Sequence, residues 1–309
     1  MLASNNSLVY AASTVGYLNA AIFTVIAWDI LICITEELQV AVVCGLSPSI
    51  VAYFASRTGT LLLSLLVLFI QHIPIAHCEA FWLFIMITSV IATSATSFLL
   101  LARVRAVYGK SKLVASFFGL FWLAAPAVTV LIAISGHSAL SVESDRCSVV
   151  ENASYSAICL WIKAAFDTSV SMAITLRIIS YSTDGRAPGS LNWHLLRGKG
   201  LPRIFGDLLK GGQQFYFLTI GVTLMGACTV FMPVDSIYRM GLTQPALAIE
   251  SVMACRVFRN VVLSCNQFKE GTYATDNILL TTIIPYVCNT GVLRTANSET
   301  GLDKQAPGA

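Results

Sequence analysis

The sequence predicts an all-α membrane protein: a bundle of seven transmembrane helices, N-terminus outside and C-terminus in the cytosol. Three observations predict it. Of 309 residues, 56% are hydrophobic and only 11% charged, where soluble domains carry about 25% charged residues. Apolar stretches of about 20 residues, the length that crosses the hydrocarbon core, recur seven times. Lysine and arginine fall almost wholly in alternate connections between those stretches.

The predicted spans cover 17–35, 50–70, 80–101, 113–134, 155–176, 213–231 and 237–255. The segment before them, 1–16, lacks the basic region of a cleavable signal. It reads as an extracellular tail followed by a retained span. The third span carries Ser89, Thr93, Thr96 and Ser97 at helical spacing. Small hydroxyl residues let neighbouring helices approach closely, so a packing face is favoured over a ligand contact. Pro126 interrupts the fourth span, which membrane helices tolerate as a kink. The connection 181–212 is the longest and is broken by glycine and proline. Within it, 203–210 mixes apolar and basic residues after Pro202, which suits either a headgroup-level helix or a solvated loop. The tail, 259–309, is polar apart from 278–287 and is expected to be mostly disordered. Cys255 and Cys265, near the inner edge, are candidate acylation sites.

Orientation follows from the cations. Arg103, Arg105, Lys110 and Lys112 follow the third span. Arg177, Arg186, Arg197, Lys199, Arg203 and Lys210 follow the fifth. Arg256, Arg259, Lys269, Arg294 and Lys304 follow the seventh. Together these are 15 of the 19 basic residues, and the opposite side holds only Arg146 and Arg239. The positive side is cytosolic. The connection after the first span fits poorly, since it holds Glu36 and Glu37 and no cation. Two further signs agree with the orientation. The sequons at Asn5 and Asn152 both fall outside, where glycosylation occurs. Cys78 and Cys147 also fall in the oxidising compartment, and a disulfide between them would tie the largest outer connection to the third span.

Ionisable residues inside spans are costly and usually face the bundle interior. Here they are Asp29, Arg57, Lys163, Asp167 and Glu250. Asp29 and Arg57 each lie seven residues from the inner end of their spans, about 10 Å deep at 1.5 Å per residue, so adjacent helices would pair them. Lys163 and Asp167 are four apart and share a helix face. Two readings of Lys163, Asp167 and Glu250 stay open. They are satisfied ion pairs that fix packing, or they line a cavity that binds a ligand or relays protons.

Several activities are excluded. The four histidines, His72, His77, His137 and His194, fall in predicted loops. They do not supply the ligand sets of di-iron desaturases or membrane zinc hydrolases, nor the base of a serine intramembrane protease. The Gly-x-Gly-Asp signature of aspartyl intramembrane proteases is missing. The last span has no lysine to carry retinal. No catalytic, metal or cofactor motif is complete, so an enzyme is not expected. The net charge of +3 is too small, and too scattered, to argue for nucleic acid.

The first span and its exit, AWDILICITEELQ, resemble a domain of unknown function at the N-terminus of a large family of basidiomycete fungal membrane proteins. That family carries an aromatic–Asp pair, an acidic pair and then an arginine, matched here by Trp28-Asp29, Glu36-Glu37 and Arg57. LLLARVRAVYGKSK, FDTSVSMAITLRI, GDLLKGGQQFYF and ESVMACRVFRN extend the similarity over 18–262. The family commonly has Tyr-Asp and Arg-Tyr where this chain has Trp28-Asp29 and Arg57-Thr58. The resemblance implies a seven-span fungal protein often compared with G-protein-coupled receptors, without an established ligand. The Asp-Arg-Tyr and Asn-Pro-x-x-Tyr motifs of those receptors are absent.

The leading expectation is therefore a receptor-like or sensory protein of the plasma membrane or another secretory-pathway membrane. Its basic inner connections would meet a cytosolic partner or anionic lipid. A small-solute or proton-coupled transporter, and a structural membrane protein without ligand, are the alternatives.

Overall fold

The computed structural model describes residues 2–73, 77–108, 111–135, 137–141, 146–150, 153–183, 218–228 and 236–270. They form seven helices and one hairpin: α1 (Leu2–Cys44), α2 (Pro48–His72), α3 (Cys78–Tyr108), α4 (Lys112–Ser135), β1 (His137–Ser141), β2 (Arg146–Val150), α5 (Ala153–Thr183), α6 (Leu218–Cys228) and α7 (Ser236–Glu270). The hairpin pairs His137 with Val150 and Ser141 with Arg146. The all-α class holds, with this hairpin confined to the connection between α4 and α5.

Local chemistry sets the first reversal of the chain. Gly45 takes φ 57, a left-handed conformation open to glycine. Its N–H donates to the Ala41 carbonyl at 3.0 Å and closes α1. Two residues later the Ser47 hydroxyl accepts from Ile50 N at 3.3 Å, and Pro48 occupies the first turn of α2. A serine cap with proline behind it starts a helix well. So short a turn makes α1 and α2 antiparallel neighbours.

Among the described residues, five helical segments are long and apolar enough to cross a membrane: Ser13–Val42, Pro48–His72, Cys78–Tyr108, Lys112–Leu131 and Ile158–Arg177. The distribution of side chains agrees. Val42, Leu46 and Leu113 are 84%, 99% and 85% exposed, while Arg57, Lys163, Asp167, Glu250 and Arg259 are buried. A soluble protein does not present such an apolar exterior over a charged interior. The chain is a membrane protein. α7 is 35 residues long but is not among those five segments, because Glu250, Arg256 and Arg259 interrupt it.

The helices alternate in direction. Glu37 meets Tyr53 and Ser56 meets Thr96, so α1, α2 and α3 run up and down. Trp122 Nε1 donates to the Ser94 carbonyl at 3.0 Å, and Thr129 lies 3.0 Å from Cys159, which places α4 between α3 and α5. α7 packs in the middle. Phe258 and Val262 join Tyr53 and Leu99 in one core cluster, and Ala254 joins Leu100, Val104 and Phe166 in another. Gly59 lets α2 approach α3 closely, since a Cβ there would lie 3.1 Å from the Ala92 Cβ.

Three expected boundaries move. Residues 2–16, expected as a tail, are the start of α1, and α1 runs on past Thr35 through Glu36 and Glu37 to Cys44. α7 continues to Glu270, so 259–270 are helix and not disordered tail. In both cases helix continues past the apolar stretch because partners across the bundle take up its charges. The 203–210 segment and the tail beyond 270 lie outside the described residues.

Candidate functional site

The polar interior consists of two ionic groups and a hydroxyl network. The first group lies between α1, α2 and α7. Arg57 pairs with Asp29, as its depth predicts, and also with Glu37. The Tyr53 hydroxyl donates to Glu37 at 3.3 Å, and the Arg57 guanidinium lies 5.8 Å from the Tyr53 ring centre. One turn away, Arg259 of α7 forms an ion pair with Glu36 at 2.6 Å. The acidic pair that fitted the orientation poorly is thus part of the bundle. Its two carboxylates face different helices because adjacent helical residues point about 100° apart.

The second group lies between α5 and α7. Lys163 donates to Glu250 and sits 3.7 Å from Asp167, one turn along its own helix. All three are buried. Two carboxylates therefore share one ammonium, and neither Asp167 oxygen has a hydrogen-bond partner among the described residues.

Between the two groups, Ser56 of α2 lies 2.7 Å from the Thr96 hydroxyl of α3 and 2.9 Å from that of Ser251 on α7. Thr60 donates to Ser251 at 2.9 Å. A hydrogen bond with one hydroxyl from each of three helices fixes their rotation about their axes, where lipid supplies little drive for helix association. Thr96 thus serves the packing face expected for the third span.

Two spaces flank Lys163, Asp167 and Glu250. A cavity of about 140 Å³ opens between α3, α4, α5 and α7. Ser94, Thr93 and Thr129 line it, and Lys163 is the only charged residue in its wall among the described residues. On the other side a cleft of about 10 Å³, room for roughly one water, is lined by Asp167, Glu250, Arg103 of α3 and Thr219 of α6. The three charges thus stand between a cavity reached by the cation and a cleft reached by the anions.

The remaining expected residues are placed as follows. Cys78 is buried in the first turn of α3 and is not among the free thiols, which are Cys33, Cys159, Cys228 and Cys255 of the described residues. Cys147 is on β2 opposite Leu140, and its side chain lies outside the described residues. So do the side chains of Asn5 and Cys265, and all of Asn152. Cys255 is a correction. Its thiol is fully buried against Ser56, 3.7 Å away, where an acyl transferase has no access. No group of three or more histidine, cysteine, aspartate or glutamate residues that would hold a metal occurs among the described residues.

Sequence reasoning missed Glu37 and Arg259 as interior residues and Glu36 as the partner of Arg259, because it ended the first span at Thr35 and placed Arg259 in the tail. The signal was the acidic pair itself, two carboxylates without a cation beside an apolar helix. It also missed Ser56 and Ser251, whose hydroxyls carry no distinguishing pattern. No protein-family model and no curated protein matches this sequence, so the fungal resemblance rests on its motifs alone.

Proposed function

We propose that the chain is a receptor-like or sensory seven-helix protein that binds a small ligand among α3, α4, α5 and α7. Its N-terminus lies outside and its C-terminus in the cytosol. In this reading α6 and α7 are the sixth and seventh spans, glycans sit on Asn5 and Asn152, and Cys78 bonds to Cys147. The carrying observation is the cavity whose wall ends on Lys163, with Asp167 and Glu250 behind it. A ligand that touches Lys163 changes how one ammonium is shared between two helices. The output is then a movement of α5 against α7, because packed interfaces switch between discrete arrangements and do not deform gradually. The basic segments after α3 and α5 would meet a cytosolic partner or anionic lipid.

A proton-coupled transporter is the second reading. It is favoured by the cleft, which brings a second space to Asp167 and Glu250. Reconstituted vesicles separate the two. The receptor reading expects proton and solute flux no greater than in empty vesicles. Flux that Asp167→Asn or Glu250→Gln abolishes would overturn it. For the orientation, Asn152 should be glycosylated in a secretory host, and an unmodified site counts against the assignment.

A further inference from the structure

We infer that the cavity between α3, α4, α5 and α7 takes a neutral molecule of about six to eight heavy atoms, with an apolar body and one hydroxyl. This rests on the ligand-binding reading above and narrows it to a chemical class. Size comes first. The cavity holds about 140 Å³, close to the ~150 Å³ apolar cavity that accommodates benzene in an engineered protein. Met86, Pro126, Leu160 and Leu247 supply an apolar wall for a body of that size.

Charge is decided by how Lys163 is held. Its ammonium already serves Glu250 and Asp167. A ligand carboxylate would compete with Glu250 and Asp167 for that one ammonium, away from water, and buried charge without a partner is strongly unfavourable. A ligand ammonium fares no better. Asp167 and Glu250 line the cleft and not the cavity, so the cation would meet Lys163 before either carboxylate. The other charge near the group, Arg103, also lies on the cleft side. Both signs are disfavoured, and a neutral ligand remains.

Hydrogen bonding then selects a hydroxyl. Thr93 donates to the Ser89 carbonyl at 2.7 Å, and Thr129 donates to that of Ala125 at 3.0 Å. Their protons are used, and their oxygens still accept. The Ser94 hydroxyl, on the same wall, has no partner among the described residues. The wall thus offers acceptors on Thr93 and Thr129 and donors on Ser94 and the remaining N–H of Lys163, which suits a group that both donates and accepts, as an alcohol does and a ketone or ether does not.

Four near-isosteric probes test this: benzyl alcohol, toluene, benzoate and benzylamine. Binding is measured by calorimetry and thermal denaturation on the purified full chain in detergent. Benzyl alcohol should bind saturably, with the other three at least about tenfold weaker, the loss expected when a buried hydrogen bond is missing or a charge is unmatched. Ala125→Leu fills the cavity and should remove the saturable component, leaving only partition into the micelle. Should that variant fail to fold, Thr93→Val keeps the shape and removes an acceptor. It should weaken benzyl alcohol and leave toluene unchanged. Benzoate or benzylamine binding as tightly as the alcohol would overturn the ligand class and leave the site reading intact. Toluene binding equally well would do the same. Saturable binding by none of the four would overturn both.

Discussion

Arg259 Nε lies 2.6 Å from a carboxylate oxygen of Glu36, and this ion pair joins α7 to α1. The partners differ in exposure: the arginine side chain is 3% exposed and the glutamate 48%. Removing the exposed partner strands a buried guanidinium. Removing the buried partner with an apolar residue of similar length leaves a carboxylate that solvent can reach. Glu36→Gln should therefore cost about 2 kcal/mol, more than Arg259→Met, expected within about 1 kcal/mol. Melting of the two variants in the same detergent checks the order, and the reverse order would show that packing of the arginine stem dominates.

Arg57 serves Asp29 and Glu37 together. Arg57→Met would leave the buried Glu37 and the partly buried Asp29 without a cation and should cost about 3 kcal/mol. Adding Asp29→Asn and Glu37→Gln should recover part of that loss. Arg57→Lys should not recover it, since a single ammonium lacks the planar fork that reaches both acids. Equal melting of Arg57→Met and the triple variant would show that the carboxylates do not matter to stability.

At Gly59 a Cβ would lie 3.1 Å from the Ala92 Cβ and 3.3 Å from its Cα. Gly59→Leu should prevent α2 and α3 from packing and cost about 3 kcal/mol, the upper range for overpacking. Gly59→Ala should cost less, and Ala92→Gly in that background should restore most of it. Additive losses in the double variant would mean that the two positions do not meet.

The proposed bond between Cys78 and Cys147 predicts a reducible mobility shift on a denaturing gel that Cys78→Ser and Cys147→Ser each abolish. Either variant should lose about 2–4 kcal/mol of stability, the range for closing a long loop, and melt at a lower temperature. A shift that survives Cys147→Ser but is lost in Cys78→Ser would assign Cys78 to a different partner.

Much of the bundle was legible before any coordinates. The first five spans needed only the length of their apolar stretches, since lipid forces backbone groups to pair within each segment. Asp29 with Arg57 could be read from equal depth, and Lys163 with Asp167 from four-residue spacing. Glu250 could be placed inside a span but not assigned to Lys163, because nothing in a linear pattern says which side of α7 faces α5. The hydroxyls of Ser56, Thr96 and Ser251 were ordinary until three helices brought them together.

The sequence by itself determined that lipid surrounds this chain and that a few charges must lie within. It could do so because hydropathy and helix length are properties of single segments. Tertiary structure alone decided that α1 and α7 continue as helix beyond their apolar stretches, that Glu36 and Glu37 take partners on different helices, and that one ammonium is shared by two acids beside a cavity. Those outcomes depend on the rotation of each helix about its own axis. Rotation is set by neighbours distant in the chain, so local composition does not encode it.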